Sequence, residues 1–129
     1  MSGPVLDASA VLAVIFDEVG ADRVAAYIPG AGISAVNLAE VLAKLLDLGM
    51  PEATIVAILE DLQLAVISFD EAHAQKASRL RPVTRAVGLS LGDRACLATA
   101  ALRGTAALSA DRAWARLPRE IGIEIELLR

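Results

Sequence analysis

Short apolar runs alternate with helix-period stretches along the chain, and that alternation leaves few folds open. Strand-like segments fall at Pro4–Leu6, Gly32–Ala35, Leu64–Phe69, Thr105–Ser109 and Ile123–Leu128. The intervening periodicity predicts helices over Ala8–Phe16, Ala21–Tyr27, Val36–Leu48, Pro51–Leu62, Glu71–Leu80, Leu91–Leu102 and Arg112–Arg116. Strands that alternate with helices imply a parallel sheet covered on both faces, an α/β three-layer sandwich. The inner strands are unbroken apolar runs, as expected of strands buried on both sides. The last one alternates, with Ile123, Ile125 and Leu127 opposed to Glu124 and Glu126, and so reads as an edge strand. Gly49 before Pro51, Gly88 before Ser90-Leu91-Gly92-Asp93, and Gly104 punctuate the helix ends. No repeat or linker interrupts the pattern, so residues 1–129 are expected to form a single domain.

The hydrophobic content is 56%, above the usual share, yet there are only four aromatics (one Trp, one Tyr, two Phe). An Ala, Leu, Val and Ile excess on so short a chain implies a surface covered by a partner, hence an oligomer. Cys96 is the only cysteine, which excludes an internal disulfide and a Cys-based zinc site and suits a small core residue. Met1-Ser2-Gly3-Pro4 has no basic n-region, and no apolar run is long enough to span a membrane. A cytoplasmic location is expected. The net charge of −4 argues against a protein that grips nucleic acid by bulk positive charge. The charge is uneven, however: residues 1–64 hold nine acids and two bases, residues 65–129 seven acids and ten bases. Nine of those ten bases are arginine, the side chain best matched to phosphate.

Four acids stand where a parallel α/β fold can gather them: Asp7, Glu40, Asp93 and Asp111. Asp7 and Asp111 follow strands one and four, and ligands bind beyond the carboxyl ends of such strands. Each also has a plain structural explanation. Asp7 and Asp111 suit helix N-caps, Asp93 completes a capping pattern with Ser90, and Glu40 sits on a polar stripe with Asn37, Lys44 and Asp47. Asp93 nevertheless shares three- and four-residue spacing with Cys96, Leu97, Ala100 and Ala101, an inward face where a bare carboxylate is costly. Carboxylates that converge repel, and a divalent cation such as Mg2+ or Mn2+ is the natural remedy. Asp70 also follows a strand, but on the far side of a sheet ordered 3-2-1-4-5, and reads as a cap. His73, the only histidine, reads as a surface residue, and Trp114 as a packing residue.

The chain resembles the PIN-domain family, and within it the VapC-like toxins of toxin–antitoxin pairs. The resemblance rests on Val5-Leu6-Asp7-Ala8-Ser9, Asn37-Leu38-Ala39-Glu40-Val41-Leu42, Leu89-Ser90-Leu91-Gly92-Asp93-Arg94-Ala95-Cys96-Leu97-Ala98, and Leu108-Ser109-Ala110-Asp111-Arg112-Ala113-Trp114. It implies a five-stranded parallel sheet in the order 3-2-1-4-5 with all four acids around Mg2+ or Mn2+. It also implies single-strand-specific endoribonuclease activity, a homodimer, and an antitoxin whose tail occupies the pocket. Asp7 and Asp93 match the two best-defined metal ligands of such toxins, and Ser109 keeps a hydroxyl where the family often has threonine. The products implied are a 5′-phosphate and a 3′-hydroxyl.

In the mechanism this suggests, the carboxylates act chiefly as ligands and Glu40 orients the attacking water, either directly or through a second metal. Ser9, Ser109, Arg94 and Arg112 are the candidates for contact with substrate. Two alternatives stay open: a non-catalytic PIN-like module that binds RNA or protein, and another metal-dependent phosphoesterase on the same scaffold. A signalling receiver domain is disfavoured, because Asp7 has no acidic neighbour and Lys44 and Lys76 lie on predicted helices.

Overall fold

The computed structural model describes residues 3–129; Met1 and Ser2, read above for a leader segment, lie outside the described residues. Five strands form one sheet in the order 3-2-1-4-5, every neighbouring pair parallel. They are β1 (Val5–Leu6), β2 (Gly32–Ser34), β3 (Ala65–Ile67), β4 (Ala107–Ser109) and β5 (Ile125–Leu127). The helices are α1 (Ala8–Ile15), α2 (Ala21–Ala25), α3 (Ala35–Asp47), α4 (Glu52–Leu62), α5 (Glu71–Thr84) and α6 (Leu91–Arg103). Two 3-10 turns, Arg112–Arg116 and Arg119–Ile121, join β4 to β5.

The pleat divides the core in two. Leu6, Ile33 and Leu108 point to one face and pack under α1 to α4 with Ala10, Val11, Val41, Leu45 and Ile55. Val5 and Ala107 point to the other and pack under α5 and α6 with Ala77, Leu80, Cys96 and Leu97. Both β1 residues are fully buried, as a central parallel strand requires. Trp114 is 1% exposed within the second cluster, as expected of a packing residue. At the far edge, Ile123, Ile125 and Leu127 lean on that cluster, while Glu126 accepts a hydrogen bond from the Tyr27 hydroxyl at 2.8 Å.

Two expectations need correcting. Helix α5 continues to Thr84, past the predicted end at Leu80 and through Pro82. Thr84 is fully buried and its hydroxyl donates to the Leu80 carbonyl at 2.8 Å, which anchors a last turn that proline alone would discourage. His73 is no bare surface residue: its side chain is 13% exposed, beside the Phe69 ring, with Nδ1 2.6 Å from Asp70 Oδ1. Asp70 caps α5 as expected, accepting from the His73 N–H.

Candidate functional site

The strand order reverses between β1 and β4, so the segments that leave these two strands open a crevice at their carboxyl ends. Asp7, directly after β1, sits in that crevice and is 4% exposed. Its Oδ1 accepts from the Ala10 N–H at 2.9 Å and the Ser9 hydroxyl at 2.7 Å, which caps α1. Its Oδ2 accepts from the Ser109 hydroxyl of β4 at 2.5 Å. The two hydroxyls in turn take backbone donors, Ser9 from Ala110 and Ser109 from Asp111, each at 2.9 Å. This network stitches the end of β1 to the end of β4.

Burial pushes the Asp7 carboxyl up from 3.8 to about 6. The hydrogen bonds from Ser109, Ser9 and Ala10 pull the other way, and the negative charge of Asp93 adds to the rise. Asp93 is half-buried in the first turn of α6, where it forms a capping box: its Oδ2 accepts from the Ser90 N–H at 2.9 Å, and the Ser90 hydroxyl accepts from the Asp93 N–H at 3.2 Å. Glu40 reaches the same region from α3. Its Oε1 accepts from Asn37 Nδ2 at 2.8 Å, and the same nitrogen donates to the Gly92 carbonyl of α6 at 3.0 Å. Of the polar stripe, Glu40, Lys44 and Asp47 are exposed as expected, but Asn37 is 1% exposed, and no ion pair joins Glu40 to Lys44 among the described residues.

A buried thiol feels the charge of three of these acids. Cys96 lies under β1, its Sγ 3.9 Å from the Val5 carbonyl. Its ionisation is pushed well up, first by burial and then by the negative charges of Asp7, Asp93 and Glu40. Three carboxylates from three elements therefore bear on one spot. Asp111 stands apart: it is exposed, and its Oδ1 caps the following 3-10 turn by accepting from the Ala113 N–H at 2.9 Å. Its tie to Asp7 runs through its own N–H and Ser109. Among the described residues, no three His, Cys, Asp or Glu side chains are drawn together tightly enough to cage one ion.

Arg94 donates from Nη1 to the Ala77 carbonyl at 3.1 Å and so ties α6 to α5, while Arg112 stands exposed. The donors facing the crevice are carboxylates and hydroxyls, and the nearby Cys96 thiol is held neutral. Such a set suits a hard divalent cation rather than zinc or copper. Sequence reasoning missed two residues of this site, Asn37 and Gly92. The first could have been found from its four-residue spacing to Val41 and Leu45, which are the other buried positions of α3.

Solved structures share this fold at low sequence identity. A DNA-bound VapBC from Salmonella typhimurium is 20% identical over 100% of both chains, with a TM-score of 0.78. A toxin–antitoxin complex from Klebsiella pneumoniae is 19% identical over 98% of both, with a TM-score of 0.75. VapBC-5 from Mycobacterium tuberculosis is 23% identical over 98% of this chain and 99% of that one, with a TM-score of 0.67. No curated protein sequence matches. The family profile for the PIN domain does match, over residues 5–120, and it takes in β1, β4 and all four acids; this chain belongs to the PIN-domain family.

Proposed function

We propose that this protein is a Mg2+- or Mn2+-dependent endoribonuclease, the toxin of a toxin–antitoxin pair. The observation that carries this reading is that Asp7, at the end of β1, is tied to β4 through Ser109, while Glu40 lies on Gly92, next in sequence to Asp93. A PIN-domain nuclease needs its acids at that end of the sheet. Asp7 and Asp93 would be the principal ligands, joined by Glu40, and Asp111 would complete the set. When bound, the metal would offset the phosphodiester's charge and acidify the attacking water.

The remaining tasks fall to the chain. Ser9 and Ser109 hold Asp7 by both oxygens, which fixes its plane before any ligand arrives. Asn37 takes up Oε1 of Glu40 and so holds the carboxylate that would orient water and accept its proton. Arg112, exposed beside Asp111, is the candidate for gripping a substrate phosphate. Arg94 has a further guanidinium N–H, at Nε, that is buried with no partner.

The antitoxin partner is carried over from the Salmonella and Klebsiella complexes, whose chains share this fold. The chain would act as a cytoplasmic homodimer of single PIN domains. Purified protein should cleave RNA with Mg2+ or Mn2+ and stop with EDTA. Asp7→Asn and Asp93→Asn should each lose at least about a hundredfold in rate. Hydrolysis of another phosphoester with RNA left intact would remove the ribonuclease reading and keep the metal site. Inertness of the wild type toward every phosphoester, alone and freed from its partner, would favour a binding module.

A further inference from the structure

Helices α3 and α6 pack together, and at their contact Glu40 lies on Gly92. A β-carbon built at position 92 would fall 2.6 Å from Glu40 Oε1 and 2.7 Å from Cδ, and closer still to Oε2. The carboxylate thus occupies the space a side chain would take. Gly92 is buried and helical, with no left-handed backbone to account for a glycine, and glycine is a poor helix former. The three nearest atoms an alanine side chain would meet all belong to the end of the Glu40 side chain. The glycine is therefore explained by what sits on it.

Asn37 closes the other side. Its nitrogen faces two acceptors, the Glu40 carboxylate and the Gly92 carbonyl. A flipped amide would set oxygen against oxygen, so the orientation is unambiguous. That orientation leaves Asn37 Oδ1 buried with no hydrogen-bond partner. A buried acceptor without a donor is unfavourable, and its retention marks an amide placed for the work of its nitrogen.

We propose that Asn37 and Gly92 form a socket that aims the Glu40 carboxylate, and that this aim, rather than the mere presence of the acid, sets the affinity of the crevice for a divalent cation. Both are positioning residues: Gly92 acts by having no side chain, Asn37 by fixing Oε1. The socket also yokes Glu40 to the first turn of α6, one residue before Asp93. Displacement of Glu40 would then leave the two acids without a common frame. The inference rests on the metal-dependent reading above and adds two residues to it.

The test is Mn2+ binding to the full chain by titration calorimetry, with melting temperature recorded in EDTA and RNA cleavage as a second readout. Gly92→Ala is expected to melt no lower than wild type, because the displaced group is a flexible side-chain end. It should bind Mn2+ at least tenfold more weakly and cleave RNA with a lower kcat and an unchanged KM. Asn37→Asp, which removes the donated N–H and sets a second negative charge against Glu40, should weaken Mn2+ binding in the same way. In a Glu40→Gln background, Gly92→Ala should add no further loss, since the socket then has nothing to aim. Wild-type Mn2+ affinity in Gly92→Ala, or full additivity with Glu40→Gln, overturns the socket and leaves the nuclease reading standing. Failure of the wild type to bind Mn2+ at all removes both.

Discussion

Asp7 is the residue at which fold and chemistry conflict. It caps α1 and receives two serine hydroxyls, yet burial outweighs these contacts and holds its carboxyl near 6. A carboxyl that is harder to ionise in the folded state than in the unfolded chain opposes folding wherever it is charged. The penalty is absent below about pH 3.8, grows as pH rises through the interval to about 6, and is complete above it. At neutral pH it amounts to about 3 kcal/mol before relaxation is allowed for. Asp7→Asn keeps an acceptor for the Ala10 N–H and offers Ser109 a donor in place of an acceptor. Without metal it should therefore stabilise the protein at pH 7 by roughly 1–3 kcal/mol and have no such effect near pH 4. Urea denaturation in EDTA at the two pH values measures this. A variant less stable than wild type at pH 7 would mean that the hydrogen bonds of the charged group outweigh its burial. The same substitution should abolish RNA cleavage, so stability and activity move in opposite directions at this one position.

The start of α6 shows how a single element serves both ends. Ser90 and Asp93 close a capping box, Gly92 carries Glu40, and the charge of Asp93 acts on Asp7. Ser90→Ala removes the hydroxyl that accepts from the Asp93 N–H and should cost about 1 kcal/mol in urea denaturation. Mn2+ affinity should fall with it, as Asp93 loses its fixed frame; unchanged stability would show that Asp93 alone holds the turn. This box was legible in the residues themselves, since Ser90 and an acid three positions on before an apolar run is a local signal. The strands were legible for the same reason, as short apolar runs between turn residues, although β3 and β5 proved shorter than the predicted Leu64–Phe69 and Ile123–Leu128. Less visible was anything that depends on a neighbour distant in sequence. Asn37 reads as polar and solvated until α6 covers it, and Gly92 reads as a helix defect until Glu40 is seen lying there. The extension of α5 through Pro82 belongs with these, because the burial of Thr84 is a tertiary fact.

At the scale of the whole molecule, two surfaces divide the work. Away from the crevice, a groove between α3 and α4 is lined by Leu42, Leu46, Ile55 and Val56 with Glu52 among them, and Leu46 and Val56 are 50% and 53% exposed. This half of the chain holds nine acids against two bases, so a basic amphipathic helix would suit the groove, such as one from the antitoxin proposed above. Leu46→Glu should leave RNA cleavage intact and abolish inhibition by the antitoxin, as read by co-purification and by cleavage in its presence. Retained inhibition would remove the groove from the interface. The crevice itself governs the balance between folding and metal. Burial at the end of β1 raises the Asp7 carboxyl, and the charge of Asp93 adds to the rise, which is a strain on the fold at neutral pH. An ion that binds the folded crevice and not the unfolded chain relieves that strain and stabilises by mass action. At a hundredfold excess over its dissociation constant the gain is about 2.7 kcal/mol, enough to raise the melting temperature of a domain this size by several degrees. Calorimetric melting with millimolar Mn2+ should show that rise in the wild type, and a much smaller one in Asp7→Asn, where the strain is already gone and a ligand is missing. An equal rise in both would locate the ion elsewhere on the protein. No rise in either would mean that the acids do not share a cation, and the geometry would then be that of separate helix caps that happen to lie close together.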